Sequence, residues 1–134
     1  MDGFIGRYAT YFYAVFRIVF GFLFMLNGTQ KLFGWPPPQK PTTIAGILVV
    51  AGVIELVGGF LVMIGFFTGF AAFIASGMMA VAYFMVHQSG GALPIMNGGE
   101  RAVLYCFAFL YIASRGSGLW SIDSIFRSGG KSVT

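Results

Sequence analysis

Charge is scarce in this sequence. Only 9% of its 134 residues are Asp, Glu, Lys or Arg, against 57% hydrophobic. A soluble globule carries about 25% charge. That balance excludes a soluble enzyme or binding module and describes an integral membrane protein of one domain. Cysteine is almost absent. Cys106 is the only one, which excludes an intrachain disulfide, a thiol–disulfide pair and a cysteine-ligated cluster. His87 is the only histidine, so a haem held by two histidines of one chain is excluded as well. There is no flavin, haem, iron–sulfur or metal-ligating motif. Basic clusters with interleaved aromatics are missing, which argues against nucleic acid as a partner. The net charge of +4 comes from eight basic and four acidic side chains, and three of the basic ones lie in the last 20 positions. It reads as juxtamembrane charge.

What the chain has in quantity is uninterrupted apolar sequence. Between Lys40 and Glu100 the only charged residue is Glu55. That run is about twice the roughly 20 residues a helix needs to cross a bilayer. It breaks at Gly65-Phe66-Phe67-Thr68-Gly69, giving spans over Ile44–Ile64 and Phe70–His87. A first span covers Thr10–Gln30. Arg17 inside it, and no small-residue cleavage site behind it, argue against a cleaved signal peptide. A fourth span covers Gly98–Ser114, short enough that its ends sit at the interfaces. The pattern predicts an all-α integral membrane protein, an antiparallel bundle of four helices. Trp35-Pro36-Pro37-Pro38 makes the first loop extended. Asn97 and Glu100 have the spacing of a capping box. Residues 118–127 predict an interfacial helix, and Gly129–Thr134 a disordered tail. With four spans both termini share a side. Arg7, Arg115, Arg127 and Lys131 there outnumber Lys31, Lys40 and Arg101 opposite, which places both termini in the cytoplasm and the chain in the inner (plasma) membrane.

Glu55 falls near the middle of its span. A carboxylate at that depth costs about 2.5–3.5 kcal/mol, so it must face a partner or a wet cavity. At helical spacing Gly52, Glu55, Gly59 and Val62 share one face, and Arg17, Gly21, Phe24, Gly28 and Lys31 share another. Small residues on both faces let the helices approach closely. Arg17 is expected opposite Glu55. The two are read either as a buried ion pair that fixes helix register or as a proton-handling, quinone-facing pair, and they are the candidate catalytic residues. Lys31, Trp35, Tyr83, His87 and Glu100 gather at the other polar end. They are read either as interfacial anchors and a helix cap or as the wall of a quinone pocket, where donors meet the carbonyl oxygens and aromatics form a slot. Cys106 is read as core packing. Asp123 is read as a surface polar group or local cap, and the 16 phenylalanines as lipid and packing surface.

Four segments, in order along the chain, resemble the DoxX family of small bacterial and archaeal membrane proteins. They are Arg17 to Leu32 (RIVFGFLFMLNGTQKL), Ile54 to Leu61 (IELVGGFL), Asn97 to Tyr105 (NGGERAVLY) and Gly116 to Asp123 (GSGLWSID). The resemblance implies a four-helix membrane bundle. It also implies a link to thiosulfate:quinone oxidoreductase, in which electrons from thiosulfate reach membrane quinone, with quinone as cofactor and further subunits of a membrane complex as partners. Other members of the family resemble non-catalytic membrane anchors, which is the alternative expectation here.

Overall fold

Helix α1 (Ala9–Phe33) and helix α2 (Ile47–Ile64) have 25 and 18 residues. At 1.5 Å per residue they reach about 37 and 27 Å, the first longer than a hydrocarbon layer of about 30 Å and the second close to it. They run antiparallel and meet through glycine. A Cβ at Gly28 would stand 2.4 Å from the backbone nitrogen of Leu56, one at Gly59 would stand 2.4 Å from that of Met25, and one at Gly21 would stand 2.5 Å from that of Met63. The two seven-residue repeats therefore interlock, Gly21 beside Gly59 and Gly28 beside Gly52. Lipid tails are as apolar as leucine, so close van der Waals contact between backbones takes over the work that burial does in water.

The computed structural model describes residues 5–37, 46–87 and 90–127, the side chains of 86, 87, 97 and 127 excepted. Gly65, left-handed at φ 76°, ends α2. Helix α3 (Thr68–Ala82) follows at once and runs on as a π-helical turn through Tyr83–His87. A short helix, α4 (Pro94–Asn97), interrupts the glycine-rich stretch, with proline in its first turn where a missing N–H costs nothing. Helix α5 (Glu100–Arg115) and a last short helix, α6 (Ile122–Arg127), complete the described chain. The main contacts are α1 on α2 and α3 on α5, with α2 against α3 joining the two pairs. Phe24, Val62, Ala72, Ala75, Phe109 and Ile112 are fully buried between them. Large apolar side chains such as Phe70, Phe73, Phe84 and Phe107 cover the outside. No strand occurs among the described residues, and three helical stretches are long and apolar enough to cross a membrane: Gly6–Phe33, Ile47–Ile64 and Thr68–Met85. Helix α5, at 16 residues, is shorter.

Two local expectations need correction. Gly99, not Asn97, is the N-cap of α5, because Asn97 belongs to α4. The helix expected over residues 118–127 starts at Ile122, because the backbone takes positive φ at Gly116, Gly118 and Trp120. The tail at 129–134 and the loop at 38–45 lie outside the described residues.

Gly28→Ala should lower the thermal midpoint of the detergent-solubilised protein, on the scale of about 1–3 kcal/mol for overpacking. Gly58→Ala and Gly77→Ala, where an added Cβ meets nothing within 4 Å, should not. Equal midpoints for all three variants would refute backbone contact between α1 and α2.

Candidate functional site

The antiparallel register creates two polar stations. The first is built on Arg17, which is fully buried. Its Nε–H donates to the carbonyl oxygen of Val62 at 3.0 Å. One terminal nitrogen donates to the carbonyls of Ser117 and Leu119, the latter at 2.8 Å. The other donates to Met63 at 3.4 Å and Trp120 at 2.8 Å. All five acceptors are backbone carbonyls. A guanidinium has five N–H donors in a fixed fork, and the last carbonyls of a helix lack intrahelical partners and carry its negative dipole end. Arg17 therefore closes the C-terminus of α2 and fastens the 117–120 segment to it.

A second layer braces this clamp. The Ser117 hydroxyl lies 2.8 Å from Thr68 Oγ1 and 2.5 Å from Asp123 Oδ2. The Asp123 carboxylate accepts from the backbone N–H groups of Phe67 and Thr68 at 3.3 and 3.4 Å, capping α3. The Tyr13 hydroxyl donates to the carbonyl of Gly116 at 2.6 Å. Asp123 is thus a cap, as its sequence setting suggests, but for a helix more than 50 residues away. Gly65 must lack a side chain here, since a Cβ would stand 2.2 Å from that of Ser121.

The expected pairing of Arg17 with Glu55 is not present. The glycine repeats place Arg17 opposite the end of α2, beside Met63, and place Glu55 opposite the Gly28–Lys31 end of α1. The partner of Glu55 is Lys31, whose Nζ lies 2.8 Å from Oε1. The Glu55 side chain is 3% exposed and that of Lys31 31%. Arg17 and Lys31 stand 14 positions apart on α1, roughly 20 Å along its axis.

The Lys31–Glu55 pair lies on the wall of a cavity of about 270 Å³ enclosed by α1, α2, α3 and α5. Asn27, Arg101 and Tyr105 add polar groups to that wall, while Phe24, Leu48, Met78, Met79 and Met85 are among its apolar lining. Methionines of this kind adapt to irregular ligand shapes. Of the five residues expected to form a quinone pocket, Lys31 reaches the cavity. Trp35 is 66% exposed and does not line it, because α1 ends at Phe33 and the chain turns outward at Gly34. Tyr83 and Glu100 are not among its lining residues either. The side chain of His87 lies outside the described residues. Sequence reasoning missed Asn27 and Tyr105 as pocket residues, and placed Arg101 at this polar end with Lys31, His87 and Glu100. Helical spacing holds the signal, since Asn27 is four before Lys31 and Tyr105 four after Arg101, each pair sharing a face. Cys106 is half-buried within α5, its carbonyl accepting from the Ser76 hydroxyl at 2.8 Å.

Lys31→Met should destabilise the protein by about 3 kcal/mol, the low end for a broken buried pair, because Lys31 is partly exposed. Adding Glu55→Leu should recover part of the loss. Arg17→Ala should add independently to Glu55→Leu, as separated sites do. A strong coupling between Arg17 and Glu55 in thermal or chemical unfolding would contradict the two-station geometry.

The family model for DoxX matches residues 12–88. An uncharacterized protein of Haemophilus influenzae is 44% identical over 126 residues, covering 90% of this chain and 94% of the relative. A second uncharacterized protein of the same organism is 27% identical over 73 residues, covering 54% of this chain and 48% of that one. No solved structure matches. The matched region contains both repeats of the α1–α2 glycine contact, Arg17, Lys31 and Glu55. The chain is a multi-pass membrane protein and belongs to the DoxX family.

Proposed function

We propose that this chain is the quinone-binding membrane subunit of an oxidoreductase complex, of the thiosulfate:quinone type that its family resemblance implies. The cavity supports this reading. It is mostly apolar, lies just under the usual ligand-pocket range of about 300–1,000 Å³, and carries a few convergent polar groups at one end. A quinone head needs donors for its carbonyl oxygens, and the Lys31 ammonium, the Arg101 guanidinium and the Tyr105 hydroxyl are the candidates on this wall. Glu55, held by Lys31, is the candidate to hold a proton at its carboxylate oxygens. Quinone, when bound, supplies the electron-accepting chemistry, and the electrons come from a partner subunit.

The same reading takes α5 as the fourth crossing of an antiparallel bundle in the inner membrane, with both termini cytoplasmic. The support is the clamp. Arg17 and the α2–α3 turn hold residues 117–123 at one end of the helices, while α4 and the start of α5 lie at the cavity end, where Gly98 and Arg101 line the wall. In a Cys106→Ala background, cysteines introduced at Arg7 and Ile125 should label from one side of the membrane and one at Ala92 from the other. Labelling of Ile125 together with Ala92 would remove the fourth crossing.

A non-catalytic anchor is the second reading. Its support is the exposed apolar patch at the clamp end, where Phe67, Trp120, Ile125 and Phe126 face outward. Binding separates the two readings. A benzoquinone with a decyl tail should bind the purified protein in lipid nanodiscs, and Arg101→Ala and Tyr105→Phe should each weaken it by about 1 kcal/mol, the size of one lost hydrogen bond. No binding to the unmodified protein would leave the anchor as the function.

A further inference from the structure

We infer that the ligand of this cavity carries a long apolar tail, and that the tail leaves the helices sideways, through the groove between α2 and α3. The inference rests on the headgroup reading above and goes beyond it by assigning the tail's path.

The observation is continuity. A second hollow, about 430 Å³ and open on the lipid side, runs between α2 and α3. Ile47, Ala51, Met78 and Val81 line both it and the headgroup cavity. Past those shared residues it continues along Ile54, Phe73 and Gly77, and among the described residues no polar side chain lines any part of it. The cavity thus has a polar end at Lys31, Glu55 and Arg101 and an apolar exit.

Direction follows from the helix geometry. From Val81 to Phe73 the groove runs about 12 Å along α3, away from the start of α5 at Gly98 and Arg101 and through the middle of the span. A polar headgroup beside Lys31, Glu55 and Arg101 with an apolar tail leaving sideways between two helices is the posture of an isoprenoid or acyl lipid. The route is open beside Gly77, where an added Cβ would meet no atom within 4 Å. A water-soluble ligand gains nothing from an exit lined only with aliphatic and aromatic groups. A lipid-soluble one reaches the cavity by diffusing along the leaflet, and its tail gains dispersion contacts in the groove.

The test compares two ligands on three proteins in nanodiscs: a benzoquinone with a decyl tail and the same ring without one, on the wild type, Gly77→Ala and Gly77→Phe. Gly77 lines the groove and not the headgroup cavity. Membrane partitioning strengthens tailed compounds for every variant alike, so the readout is the change between proteins. Gly77→Phe should weaken the tailed compound about tenfold, by filling the groove, and leave the ring alone within about twofold. Gly77→Ala should match the wild type for both. Equal loss of both compounds in Gly77→Phe, or loss of neither, overturns the tail route while the headgroup site stands. Failure of both compounds to bind the wild type removes the headgroup site, and the route with it.

Discussion

Gly21, Gly28 and Gly59 let two helical backbones touch, and that contact decides which residue of α1 faces which residue of α2. Helices with larger side chains between them have some freedom to slide. Here a shift of one residue would drive a Cβ into a peptide plane on the facing helix, and cores resist such overpacking. The glycine contact thus fixes the polar chemistry as well. It brings Arg17 to the closing turn of α2 and Lys31 to Glu55. Neither pairing is chosen by charge alone, for Arg17 and Lys31 are both cations on the same helical face.

The two stations answer the problem of polarity in hydrocarbon differently. Arg17 takes neutral carbonyls. Helix-end and loop carbonyls need donors anyway, so one guanidinium satisfies itself and them together without burying a second ion. The result is saturated, since all five contacts are internal. The Lys31–Glu55 pair is not closed in this way. It stands at a cavity wall with Lys31 partly exposed, where hydrogen-bonding capacity remains for something that enters. A buried ion pair offers little net stability against an apolar substitute. Its position beside the cavity makes better sense as a chemical provision than as a fastening.

Much of this was legible in the sequence. The apolar runs gave the helical, membrane-spanning class, and the seven-residue glycine spacing marked the faces of α1 and α2 that meet. That Glu55 must have a partner followed from its depth. Which partner did not follow, because helical faces specify rotation about an axis and not displacement along it. The displacement comes from the contact between Gly28 and Leu56 and its repeats, which only the paired helices reveal. Asn27 and Tyr105 were passed over for a related reason, as polar residues near helix ends have ordinary interfacial roles. Trp35 failed oppositely, since an aromatic at a helix end suits the slot of a pocket on sequence grounds, but the chain carries it outward. The role of Asp123 as cap of α3 joins residues 55 and 56 positions apart, beyond any local pattern.

The Arg17 clamp also bears on how the chain is made. Arg17 enters the membrane with α1, before most of the residues that meet it are made. Three of its five acceptors, Ser117, Leu119 and Trp120, lie 100 to 103 residues later. During synthesis the cation must therefore be carried in the bilayer or the translocon at a cost of about 2.5–3.5 kcal/mol if held centrally. Val62 and Met63 relieve part of the penalty once α2 packs on α1, and the rest is relieved when the 117–120 segment folds back. A chain interrupted before Ser117 keeps in α1 a guanidinium with at most two of its five acceptors, Val62 and Met63.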